Sequence, residues 1–102
     1  MTTHHQTAIA AAIQNRRRLS IYYDPGIRVI EPHAMGYGSD EQLLLRAYQV
    51  EGASLSGEHV HWKLFRVDRL GNVEPNPAPS SAPRDGYKRD DKAMKGGIIA
   101  QI

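Results

Sequence analysis

The chain has 102 residues, enough for one domain with a modest core and not for two. It has no cysteine, which excludes disulfides, thiolate zinc sites and cysteine nucleophiles. The formal net charge is only +2, yet nine arginines stand against four lysines, a bias toward planar two-point contacts with phosphate or carboxylate. No run is long enough to span a bilayer and the N-terminus has no apolar secretion core, so the expectation is a soluble, cytoplasmic protein without membrane association.

Residues 3 to 17 suit one helix, with Thr2 or Thr3 as cap and Ile9 and Ile13 four apart on one face. The apolar stripe is thin, so this helix needs a sheet to lean on. Arg16-Arg17-Arg18 follows, read either as positive charge at the helix C-terminus or as a phosphate contact. From Leu19 the period switches to two: Leu19, Ile21 and Tyr23 alternate with Ser20 and Tyr22. Asp24-Pro25-Gly26 then predicts a type II turn, with proline at the second position and glycine at the third. The return strand through Ile27, Val29 and Ile30 meets Pro32, where a bend or an edge position is expected before residues 33 to 37 continue extended.

After a turn at Gly38-Ser39-Asp40, residues 42 to 50 read as a strong strand. Leu43, Leu45 and Ala47 share one face, and Leu44, Arg46 and Tyr48 the other. Residues 51 to 58 form a flexible loop, and 59 to 67 another strand with Val60, Trp62 and Leu64 on one side. Pro75, Pro77, Pro79 and Pro83 then argue against regular structure and for an extended linker. The charged stretch 88 to 95 leads through Gly96-Gly97 to a β-prone end, Ile98 to Ile102, which adds a strand either to its own sheet or to a neighbouring chain. The division expected is therefore 1–74 as helix plus barrel and 75–102 as linker and tail. One helix followed by about five short strands predicts a mainly β fold, a small SH3/Sm-like antiparallel barrel.

The order of the pieces resembles a WYL domain, the small Sm/SH3-like barrel found mainly in bacterial transcriptional regulators. The residues that carry the resemblance run from about 8 to 73: Asn15-Arg16-Arg17-Arg18, Leu19-x-Ile21-x-Tyr23, Arg28-Val29-Ile30-Glu31-Pro32, Leu43-Leu44-Leu45-x-Ala47-Tyr48 and Phe65-Arg66-Val67-Asp68-Arg69-Leu70. The tripeptide that names the family stands here as Leu43-Leu44-Leu45, keeping only the leucine. The resemblance implies a stand-alone ligand-sensing or nucleic-acid-binding barrel with a basic, partly aromatic groove. The matching positions are Tyr23, Arg28, Arg66 and Arg69, with Arg46 as a neighbour. Its ligand would be single-stranded nucleic acid or a nucleotide-like anion, since arginine forks take phosphate oxygens and tyrosine stacks on bases. The bland alternatives are that Tyr23 is core, that Arg28 pairs with a carboxylate such as Glu31, and that Asp68 and Arg69 form a local ion pair.

His59 and His61 are two apart without a placed third ligand, so no metal is expected. No Ser-His-Asp spacing and no phosphate-cradling glycine loop is present, so neither catalytic residues nor a cofactor are expected. A structural module that forms a homodimer through its C-terminal strand is the other reading the sequence supports.

Overall fold

A computed structural model describes residues 2–102, with the side chains of Thr2 and Thr3 outside the description; the expected capping by either threonine therefore lies outside the described residues. Helix α1 (Thr2–Asn15) is followed by strands β1 (Arg17–Tyr23), β2 (Gly26–Tyr37), β3 (Leu43–Gly52) and β4 (His61–Arg66). A 3₁₀ turn (Val67–Arg69), β5 (Asn72–Pro79) and β6 (Gly97–Gln101) complete the chain. The described residues are mainly β, with one N-terminal helix and six antiparallel strands in one sheet.

The strand order is β4-β3-β2-β1-β5, with β6 added to β2. The ladder stays open, because β4 and β5 end the path and do not pair. Long β2 organises everything. Along one edge it pairs with β3 from Arg28 to Tyr37; it pairs with β1 over Gly26–Ile30 and with β6 over Ala34–Tyr37. Residues 31 to 33 fall between those last two partners. The β2–β3 register also shifts there, between Pro32 and Ala34, which makes His33 the extra residue of a bulge. Proline inside a central strand is tolerated at such a point, so β2 continues through Pro32.

The core lies between the inner face of the sheet and α1. Leu19, Ile21, Ile30, Leu45, Ala47, Phe65 and Val67 are buried together with Ile9, Ala12 and Ile13. Ile9 and Ile13, at 0% and 1% exposure, each contribute about 2 kcal/mol through burial. The thin helical stripe thus does what its pattern predicts and leans on the sheet.

Three local expectations are corrected. The Asp24–Pro25 peptide is cis and Tyr23 pairs directly with Gly26, whose φ is not positive; the hairpin closes on the two residues Asp24 and Pro25 instead of a type II turn. The helix stops at Asn15 because Arg16 takes a left-handed φ of 53°, so Arg17 and Arg18 belong to β1 and not to a helix end. Residues 75 to 79, the start of the stretch read as a linker, belong to edge strand β5, which pairs with β1. Proline recurs there at every second position. In an extended chain this puts the missing donors on one edge of the ribbon and leaves the alternate residues to serve the ladder.

The C-terminal strand adds to its own β2. Gly36 permits the approach, since a Cβ there would collide with the Gly97 carbonyl. Residues 80 to 96, without regular structure, cross the sheet on the face of Arg46, Tyr48 and Trp62 before β6 begins.

Candidate binding face beneath residues 84 to 94

The returning segment is held by two buried residues at the β2 bulge. Glu31 is fully buried, and its carboxylate accepts from Arg84 Nε at 2.6 Å, Arg18 Nε at 3.0 Å and the Ser81 N–H at 2.8 Å. Burial alone would raise its pKa, but the hydrogen bonds from Arg84, Ser81 and Arg18 outweigh that and hold it below the usual glutamate value. His33, also fully buried, has Nδ1 2.8 Å from the Glu31 carbonyl and Nε2 3.0 Å from the Arg84 N–H. A carbonyl only accepts and a backbone N–H only donates, so Nδ1 carries the proton and the ring is neutral. Burial lowers its pKa in keeping with this.

Aromatic rings extend the clamp. His33 packs edge-on against Trp62 at 4.6 Å and lies 5.0 Å from Tyr87, and Trp62 and Tyr87 run nearly parallel at 24°. The Tyr87 hydroxyl donates toward the carbonyls of His33 and Ile102, and Trp62 Nε1 donates to the Asp85 carbonyl. Arg84 covers the ring of Tyr48 at 4.7 Å. Beyond these contacts opens a cavity of about 370 Å³, lined by Arg46, Trp62, Tyr87 and residues 88 to 92. Arg46, Lys88, Arg89 and Lys92 bring four cations to its wall against the two carboxylates of Asp90 and Asp91.

The residues singled out from the sequence do not converge on one groove. Tyr23 is half-buried against the core: its ring meets Phe65 edge-on at 4.9 Å, and its hydroxyl accepts from the Arg66 N–H at 3.3 Å. Arg28 is 4% exposed, donating to the carbonyls of Tyr23 and Asp24 and to Gln49 Oε1, with its guanidinium over the rings of Tyr23 and Phe65. It does not pair with Glu31, which has taken Arg18 and Arg84. Arg66 pairs with Asp68 at 2.9 Å, so the local ion pair involves Arg66 and not Arg69, which is exposed at the end of the 3₁₀ turn. Arg46 alone of the set reaches the cavity, and there it grips Asp91 through Nε at 2.7 Å and Nη2 at 3.3 Å.

Alternation could have placed Arg28, since it lies two residues before inward-facing Ile30. Glu31 and His33 carry a weaker signal: ionisable residues on both sides of Pro32 in an otherwise apolar run. His59 and His61 bond to the carbonyls of Gly52 and Trp62, and among the described residues no three metal-ligating side chains come together. Among the same residues no helix is long and apolar enough to cross a membrane.

Neither a family model nor a curated protein matches the chain. A solved structure does: proteasome accessory factor B/C (PafBC) of Arthrobacter aurescens, 25% identical over 85% of this chain, with a TM-score of 0.64. The segments that carry the family resemblance also lie on successive elements, from β1 and β2 through β3 to β4 and the 3₁₀ turn. The chain is a WYL-like domain. It spans 13% of the length of that accessory factor. Within the WYL-like domain, the cavity lies on the sheet face that residues 84 to 92 cover.

Proposed function

We propose that this WYL-like domain is a regulatory binding module that senses an anionic ligand, a nucleic acid strand or a nucleotide, in the cavity beside Trp62 and Tyr87. The observation that carries the reading is the composition of that cavity: a near-parallel aromatic pair with four cations around it. Aromatic faces accept bases without regard to sequence, and guanidinium and ammonium groups take the phosphates. A connection to transcription control rests on the family resemblance and on the likeness to the accessory factor.

Filter binding of short single-stranded oligonucleotides across a salt series tests it. Lys88→Gln with Arg89→Gln removes two exposed cations without disturbing the core. The pair should weaken binding and flatten the salt slope by about 1.4, from the single-strand relation of about 0.7 per phosphate contact. An unchanged slope in the double variant would reject the cavity as the site.

The other reading, assembly through the C-terminal strand, requires β6 to leave the β2 ladder it occupies here. Molecular mass by light scattering, with and without residues 97 to 102, decides it: a dimer that becomes monomeric on deletion supports strand exchange.

A further inference from the structure

Asp91 stands on the cavity wall with its carboxylate turned into the fork of Arg46. Both oxygens are engaged, Oδ2 with Nε at 2.7 Å and Oδ1 with Nη2 at 3.3 Å. This is the two-point geometry an arginine offers to phosphate. The two partners are held differently. Arg46 is fixed in β3, between Ala34 of β2 and Leu64 of β4. Asp91 belongs to the irregular return segment, where its Oδ1 also accepts from the Ala93 N–H at 2.9 Å and its carbonyl from the Met94 N–H at 3.0 Å. The hydrogen bond to Arg46 is the main reason its pKa lies below the ordinary aspartate value, so the pair is charged at neutral pH.

We propose that Asp91 is a built-in competitor that occupies the phosphate position of the cavity, and that a phosphate-bearing ligand binds by displacing it from Arg46. The inference rests on the anionic-ligand reading above and names the group recognised. A carboxylate ligand would replace Asp91 like for like and gain little. A phosphate monoester brings nearly two charges and three acceptor oxygens, enough to fill the Arg46 fork and also engage Lys88 or Lys92 across the cavity. The exchange trades contact for contact at Arg46: the pair is only 28% and 12% exposed, and an incoming phosphate takes over the two hydrogen bonds that the Asp91 carboxylate gives up. It also provides what a sensor needs: two states of residues 88 to 93, distinguished by a differential contact with the ligand. In one state the segment is pinned to β3 through Asp91; in the other it is released from it.

Isothermal titration of the full chain at low salt, with thymidine 5′-monophosphate and with a five-residue oligothymidylate as probes, tests the competition. Asp91→Asn retains an Oδ1 acceptor for the Ala93 N–H while removing the charge that competes. Asp91→Ser, whose hydroxyl can cap the same N–H, is the second variant. Both should bind about two- to fivefold tighter than the unmodified chain, the gain expected when one competing ion pair is removed. The gain should vanish when Arg46→Gln is added. A gain for either probe supports the exchange, and the probe that gains identifies whether a free nucleotide or a strand backbone supplies the phosphate. Equal affinity in the unmodified chain and the Asp91 variants overturns the competition and leaves the anionic-ligand reading standing. A gain that survives Arg46→Gln overturns it as well. Failure of every variant to bind either probe rejects the competition together with the reading on which it rests.

Discussion

Arg84 reaches back 53 positions along the chain to place its Nε 2.6 Å from Oε1 of the fully buried Glu31. This contact fastens the return segment to the sheet at the β2 bulge. The carboxylate has no access to water and three other donors close by or shared, from Arg18, Ser81 and the second arm of Arg84. Its burial cost is therefore met only while the segment is in place.

Glu31→Gln should lower stability by about 1–3 kcal/mol, the range for leaving charged hydrogen-bonding groups without their partner, discounted because Arg84 is one-third exposed. Urea unfolding measures it as a shift in midpoint at constant slope. The pH dependence has a definite sign. The folded pKa of Glu31 lies below its unfolded value, so the stabilisation is complete above the ordinary glutamate range and is lost as pH falls through the folded value. The variant should lack that acid-side loss.

His33 contributes at milder acidity. Burial lowers its pKa, so protonation favours the unfolded chain; the stabilisation is full above the unfolded value near 6.5 and is lost as pH falls from there toward the folded value. A protonated Nε2 would also point a hydrogen at the Arg84 N–H. Unfolding midpoints at pH 7 and pH 5 should differ by more in the unmodified chain than in His33→Gln. Nitrogen-15 shifts of the ring at pH 7 should show the Nδ1–H tautomer; an Nε2–H ring would contradict the geometry.

Much of the sheet was legible because alternation is a local property. Leu43, Leu45 and Ala47 turn inward as their spacing predicts, as do Leu19, Ile21 and Tyr23. The clamp was not legible in the same way. Glu31, Arg84 and Tyr87 acquire meaning only when residues more than 50 apart meet, and no periodicity encodes that meeting. The bulge at His33 adds a second obstacle, because an extra residue breaks the period of two at the point where the clamp begins. The prolines misled for a physical reason too: they forbid ladder donation at their own positions but not pairing by the residues between them. The arginine bias says nothing about where the arginines go in the fold. Of the five positions the resemblance implied, only Arg46 lines the cavity, while Lys88, Arg89 and Lys92 come from a stretch that reads as mere solvent-facing charge.

Phe65 is the largest side chain in the core at 1% exposure, and it supports both the Tyr23 ring and the Arg28 guanidinium. Phe65→Ala should cost about 3–5 kcal/mol, the range for truncating a buried aromatic without collapse of the site. Phe65→Leu should cost less, because most of the volume is kept. If alanine at this position costs under about 1 kcal/mol by urea unfolding, the inner face is not packed as described.

Arg28 permits a sharper separation of structure from binding. Its guanidinium reaches the Tyr23 and Asp24 carbonyls at the hairpin and Gln49 on β3, and Gln49 in turn donates to the carbonyls of Ala53 and His59. Arg28→Lys keeps the charge but replaces a rigid fork by one ammonium, which cannot reproduce three contacts spread over two strands. The variant should lose about 1–3 kcal/mol of stability in urea unfolding. Its salt slope for oligonucleotide binding should stay that of the unmodified chain, because a side chain 4% exposed reaches no phosphate and so releases no counterion. The opposite result, a flattened slope with unfolding unchanged, would move Arg28 from the core of the hairpin to the ligand.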